Sequence, residues 1–316
     1  MGKSRNNADI GRQSLILTMA LDIYISEATF FLVSKIVATV IVFISLIAWI
    51  GNGLIITVTI KYENLRSACN ILIAIQALSD IIIQMSHIPY LYFAYSETLV
   101  SYYTCYYINL VFFPCMDFST VLVFCIALDR LISARFPVPY RNVMTNYFYT
   151  YIGSILSLCF TYSVTMKVLL YTTLTEDFTL CLIADSMTGS MAQIWLLCSS
   201  AWNLGVIVVY VFVARTVKRS AVEYQKVNQS LQTMILVYIF GWLFTFVGCS
   251  VAAVISPNVQ VLETLQTIVG IAANVNLAAP FFIYYFRSTL YRNAFHRLMG
   301  INLYKTGPMT VSFSGR

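Results

Sequence analysis

The chain has 316 residues, 59% of them hydrophobic and only 10% charged, with a mean hydropathy of +0.78. Soluble domains carry roughly 25% charged residues, and so much apolar surface cannot be hidden inside one water-facing core. The net charge of +6 is modest and the 43 Phe and Tyr residues lie mostly within apolar runs rather than among Lys and Arg, which excludes a nucleic-acid binder.

Residues Met1–Phe30 read as a short tail outside the membrane. The run Leu15–Ala20 is too short for a secretory signal, and Asp22, Glu27 and Lys35 follow it closely. About 20 apolar residues cross the hydrocarbon as a helix. Seven segments qualify: Ile36–Ile60, Ile71–Phe93, Cys105–Leu131, Tyr147–Tyr171, Met191–Val213, Leu231–Ile255 and Leu265–Tyr285. Lys167, near one end of the fourth, reads as a lysine snorkelling to the interface. No internal repeat is visible, so an inverted-repeat transporter gains no support. In Phe286–Leu298 the residues Phe286, Leu290, Ala294 and Leu298 recur every four positions, with Arg287, Arg292 and Arg297 between them. That is the pattern of a helix lying in the interface.

Orientation follows from Lys and Arg in the connecting segments. With the N-terminus outside, the inner segments hold fourteen basic residues, the outer loops one and the stretch before the first span four, Lys35 included. Eight acids, Glu97, Asp177, Asp185 and Glu263 among them, fall outside. The expected fold is an all-α membrane protein, a seven-transmembrane helix bundle (31–285) with a short amphipathic eighth helix (286–298). An extracellular tail (1–30) precedes it and a cytoplasmic tail (299–316) follows it. The glycosylation sequon at Asn228 is then cytoplasmic.

Of eight cysteines, only Cys105 and Cys181 fall on the oxidising side. A bond between them would pin the loop before the fifth span across the helix tops; two free thiols are the alternative. Ionisable groups at bilayer depth are costly and usually face the bundle interior. Asp80 and Asp117 are the clear ones, and Asn52, Ser119 and Asn276 lie at depths comparable to Asp80. These four could share one hydrogen-bonded cluster holding water or a cation, or each could satisfy a neighbouring backbone. Asp129-Arg130 closes the inner end of the third span, 24 residues after Cys105.

Gly51-Asn52, Leu78-Ser79-Asp80, Cys105, Asp129-Arg130 and Tyr284 together resemble the rhodopsin-like G-protein-coupled receptors. Asn70–Ile73 with Gln76, Leu128–Arg141 and Phe282–Phe295 are similar to the nematode serpentine chemoreceptors of class SX. The resemblance implies that Arg130 is held by Asp129 when inactive and swings toward Tyr210 and Tyr284 when active. It implies a sodium ion at Asp80 in the inactive state, within the cluster of Asn52, Ser119 and Asn276. It also implies a heterotrimeric G protein inside, no cofactor, and a plasma-membrane protein; a sensory role would put it in the cilia of sensory neurons.

Departures are visible too. The fifth and sixth spans have no proline, Trp242 stands in for a switch tryptophan, and Pro280 is displaced by one position from the expected motif around Tyr284. For a ligand, Asn109, Phe112, Phe113, Met116 and Asp117 share roughly one face of the third span, with Gln193, Trp242 and Gln266 able to converge on them. Aromatic walls with a few polar groups suit a small organic molecule. A neuropeptide or small-transmitter receptor is the nearest rival. A channel or transporter would show more membrane charges, and no enzyme motif accompanies the two histidines, His87 and His296.

Overall fold

The computed structural model of the protein describes residues 25–217, 233, 237, 241–242, 244–252 and 259–301. Among the described residues six helices are long and apolar enough to cross a membrane: Glu27–Lys61, Ala68–Ser96, Phe112–Arg135, Phe148–Tyr171, Gly189–Thr216 and Gln260–Arg287. They are the first five spans and the seventh. Of the expected sixth span, Leu231–Ile255, residues 233, 237, 241–242 and 244–252 are described and helical. The sequon at Asn228 and the tail beyond residue 301 lie outside the described residues.

The first span starts earlier than its hydropathy suggests, within the expected tail. Ser26 caps it, its Oγ accepting from the Thr29 N–H at 3.3 Å, with Glu27 in the first turn. The added turns bury Phe30 and Phe31 against Tyr90, Leu180 and Leu182. Lipid is as apolar as leucine, so the helices are held by close contact rather than by a hydrophobic drive. Gly51 shows how close: a Cβ there would lie 2.6 Å from the Phe281 Cβ of the seventh span.

Two spans that hydropathy draws as continuous are broken near the disulfide end. A proline lacks an N–H and its ring collides with the carbonyl four residues earlier. In the second span Pro89 strikes at Met85, and the helix divides into Ala68–Met85 and His87–Ser96. In the third, Pro114 strikes at Leu110, dividing Tyr102–Ile108 from Phe112–Arg135. At that second break the Leu110 N–H turns back to the Tyr107 carbonyl at 3.2 Å. The Tyr106 carbonyl thereby loses its helical donor.

Lys167 supplies the replacement. Its Nζ donates to the Tyr106 carbonyl at 3.0 Å and to the Asn109 carbonyl at 3.3 Å, and it sits 3.5 Å above the Tyr106 ring. The residue is only 5% exposed. Lys167 therefore does not snorkel; it caps the break in the neighbouring span.

The seventh span, Val259–Arg287, continues through Pro280, and a last helix follows over Thr289–Leu298, capped by Ser288. Tyr291, Ala294 and Phe295 form its buried stripe, whereas Phe286 and Leu290 stay exposed. The expected four-residue stripe is thus shared between two faces, and only Ala294 of its first three members packs on the bundle.

Candidate functional site

The disulfide end is covered by a built lid. Cys105 and Cys181 are bonded, with Cα atoms 5.2 Å apart. Val100 pairs with Thr179 and Ser101 with Phe178 in a short antiparallel ladder. Asp185 locks the lid's turn, accepting from the Thr179 hydroxyl and the Leu182 N–H, both at 2.9 Å. Burial pushes the Asp185 carboxyl up to about 6, while these two hydrogen bonds hold it down.

Beneath the lid lies a cavity of about 500 Å³, reached by the second, third, fifth, sixth and seventh spans. Met116, Gln193, Trp242 and Gln266 line it as expected. His87, Asn274 and Glu263 line it as well, and were not anticipated from the sequence.

Asn109, Phe112, Phe113 and Asp117 do not line it, which corrects the expectation drawn from a continuous helical face. The break at residues 109–111 takes Asn109 out of register with the helix Phe112–Arg135. Phe113 and Asp117 share that helix with Met116 and meet Trp195 of the fifth span. Asn109 is wholly buried behind the disulfide, its Nδ2 donating to the Cys105 carbonyl at 3.2 Å. Phe112 and Phe113 join an apolar cluster, and the Phe113 ring is 5.8 Å from that of Trp195. Asp117 accepts from Trp195 Nε1 at 2.7 Å and lies within electrostatic reach of Lys167. It faces the fourth and fifth spans instead of the cavity.

Below this cavity is a second, of about 60 Å³, lined by Asp80, Ser119, Asn276 and Gln76 together with Tyr210 and Trp242. Ser119 donates to Asp80 Oδ1 at 3.1 Å, and Gln76 Nε2 donates to the same oxygen at 2.9 Å and to Ser119 Oγ. Asn52 stands apart, its Nδ2 donating to the Leu277 carbonyl at 3.2 Å. Asp80 Oδ1 and Ser119 Oγ both face the Gln76 amide N–H, so a cation bound at those two oxygens would meet a donor. Gln76 was legible as a candidate, being four residues before Asp80 and so on the same helical face.

At the opposite end the expected Asp129–Arg130 pair is not formed. Among the described residues the ion pair is Lys35–Glu97, at 2.5 Å. Asp129 accepts instead from the hydroxyls of Tyr140 at 2.8 Å and Tyr151 at 2.9 Å. Tyr140 comes from the short helix Pro137–Asn146 and Tyr151 from the fourth span. Both hydroxyls reach Oδ1, so Asp129 Oδ2 is buried without a hydrogen-bond partner among the described residues, and Arg130 lies within electrostatic reach of Tyr284, Asp129 and Tyr210. The Tyr284 ring is 4.5 Å from that of Tyr291, which ties the seventh span to the last helix.

Residues 45–299 match the family described as serpentine type 7TM GPCR chemoreceptor Srsx. A stretch of 99 residues, 31% of this chain, is 31% identical to the Caenorhabditis elegans protein described as "Probable G-protein coupled receptor npr-8". That stretch spans 20% of the relative's length.

Proposed function

Because the chain belongs to the serpentine chemoreceptor family Srsx of seven-transmembrane receptors, we propose that it binds a small organic molecule from outside the cell and activates a heterotrimeric G protein inside it. The basic inner segments support an extracellular N-terminus, a cytoplasmic C-terminus and a plasma-membrane location. A chemosensory role fits the cilia of sensory neurons. The helix Thr289–Leu298 then lies along the cytoplasmic face.

The observation that carries this reading is the position of Trp242. Its indole lines both cavities, and its ring stacks on Phe246 at 5.7 Å. A ligand pressing on one face of the indole changes the space available to Asp80, Asn276 and Tyr210 on the other. Tyr210 in turn lies beside Arg130. Packed interiors switch between discrete arrangements, so a shift at one end is carried to the other as a change of population. The lid over the cavity favours a small ligand over a folded peptide.

Replacing Arg130 with Ala should abolish ligand-evoked calcium or cAMP responses in transfected cells while leaving surface expression intact. Undiminished responses would refute the assigned role.

A further inference from the structure

We propose that the upper cavity takes a small organic cation carrying a second hydrogen-bond donor at its far end. The cation would bind at Glu263 and Asp185, and the second donor at His87. This rests on the receptor reading and names the ligand class of that same site.

The first support is charge. Asp177, Asp185 and Glu263 line the cavity, and among the described lining residues there is no Lys or Arg. Glu263 and Asp185 are near enough to feel each other's charge, and Glu263 Oε1 is buried with no hydrogen-bond partner among the described residues. An acid in the first turns of a helix has a plain role in complementing the helix dipole. That role does not require a carboxylate oxygen to be dry and unpaired beside a second carboxylate. Two like charges sharing a site are each disfavoured by burial and by the other. One organic cation relieves both.

The second support is independent and lies on the second span. His87 is 2% exposed, lines the cavity, and has no partner for its Nδ1 among the described residues. The state of that nitrogen follows from its surroundings. Asn274 Nδ2 donates to the Gly270 carbonyl at 3.0 Å, which leaves Asn274 Oδ1 as an acceptor. His87 Nε2, 2.6 Å from that oxygen, must carry the proton. In the neutral ring Nδ1 is then a bare acceptor, and the group it lacks is a donor.

The cavity thus offers acceptors in two places and aromatic surface from Trp195, Trp242 and Phe246 between its walls. Aromatic faces also favour a cation. A neutral apolar odorant would leave Glu263 Oε1 and His87 Nδ1 unpaired, which is the arrangement binding sites penalise most.

The test uses the full-length receptor in nanodiscs, with thermal shift as a readout independent of the G protein and calcium response as a second readout. The probes are hydroxyphenyl-alkylamines of graded length, their neutral alcohol isosteres, and the same amines without the ring hydroxyl. Expected results are stabilisation by the hydroxylated amines, with the alcohols weaker by about 10- to 100-fold. Glu263→Gln should remove most of that difference, and Glu263→Asp should retain part of it, which guards against a variant that merely misfolds. Removing the ring hydroxyl should weaken binding by about tenfold to the native receptor and not at all to His87→Phe. Alcohols binding as well as amines, an unchanged preference in Glu263→Gln, or no stabilisation by any amine would each overturn the proposal. Neutral compounds that signal while amines stay silent would sink the site and leave the receptor reading standing. Amines that bind through Glu263 without any G-protein response would do the reverse.

Discussion

The two ends of the bundle are built on opposite plans. Toward the disulfide the second and third spans are broken by Pro89 and Pro114, a large cavity opens, and Glu263 Oε1 stands within it without a hydrogen-bond partner among the described residues. Toward Arg130 the third span runs unbroken from Phe112 to Arg135, and Ile55, Leu72, Leu122 and Phe295 pack into one apolar cluster. Asp129 there takes two tyrosine hydroxyls on one carboxylate oxygen. The difference shows where the chain gives up regular backbone hydrogen bonding: at the end that must make room, and nowhere near the end that must move as a piece.

The largest expected effect comes from unpinning the open end. Cys105→Ser and Cys181→Ser should each cripple surface expression, and the double variant should be little worse than either, since one bond is lost in all three; closure of such a loop is worth about 2–4 kcal/mol. Additive losses in a surface-labelling assay would mean that the two thiols act separately.

Lys167→Met tests the broken span itself. It strips the donor from the Tyr106 and Asn109 carbonyls and should lower thermal stability by about 1–3 kcal/mol, the cost of a buried acceptor left unpaired. A variant as stable as the parent would mean that the break needs no cap.

The smallest effect is a pH dependence of the unliganded lid. Asp185 faces Glu263, Asp177, Tyr102, Tyr90 and Cys249. Its carboxyl titrates at about 6, above its ordinary value near 3.8. A raised carboxyl adds stability that is fully present below the ordinary value and is lost as pH rises through 6. The empty receptor should therefore melt at a higher temperature at pH 5 than at pH 7.5, by at most about 1.4 kcal/mol of stability. Asp185→Asn should flatten the profile. A steeper rise toward alkaline pH would contradict the sign.

Much of this architecture is readable without coordinates, because hydropathy and charge asymmetry respond to lipid and to little else. The spans, the disulfide cysteines and the Asp80–Ser119 contact are of that kind. One error arises because apolar windows run straight through a proline. The i−4 rule applied to Pro114 would have located the break at Leu110, and with it the mistake of placing Asn109 and Asp117 on one face. Lys167 looked like a snorkelling side chain because hydropathy carries no record of a carbonyl freed on the next helix. Glu263 was counted as loop charge since its helix begins six residues before the apolar run, at Val259. The hydroxyls of Tyr140 and Tyr151, which take Asp129 away from Arg130, come from two other helices, and no local pattern announces them.

The lysine that caps the third span also constrains how the protein can be made. An ammonium group alone in hydrocarbon costs at least about 2.5–3.5 kcal/mol on insertion scales, so the fourth span is a poor passenger in lipid by itself. Its remedy, the pair of carbonyls at Tyr106 and Asn109, belongs to a segment that leaves the ribosome earlier. Chain order therefore supplies the acceptor before the charge needs it.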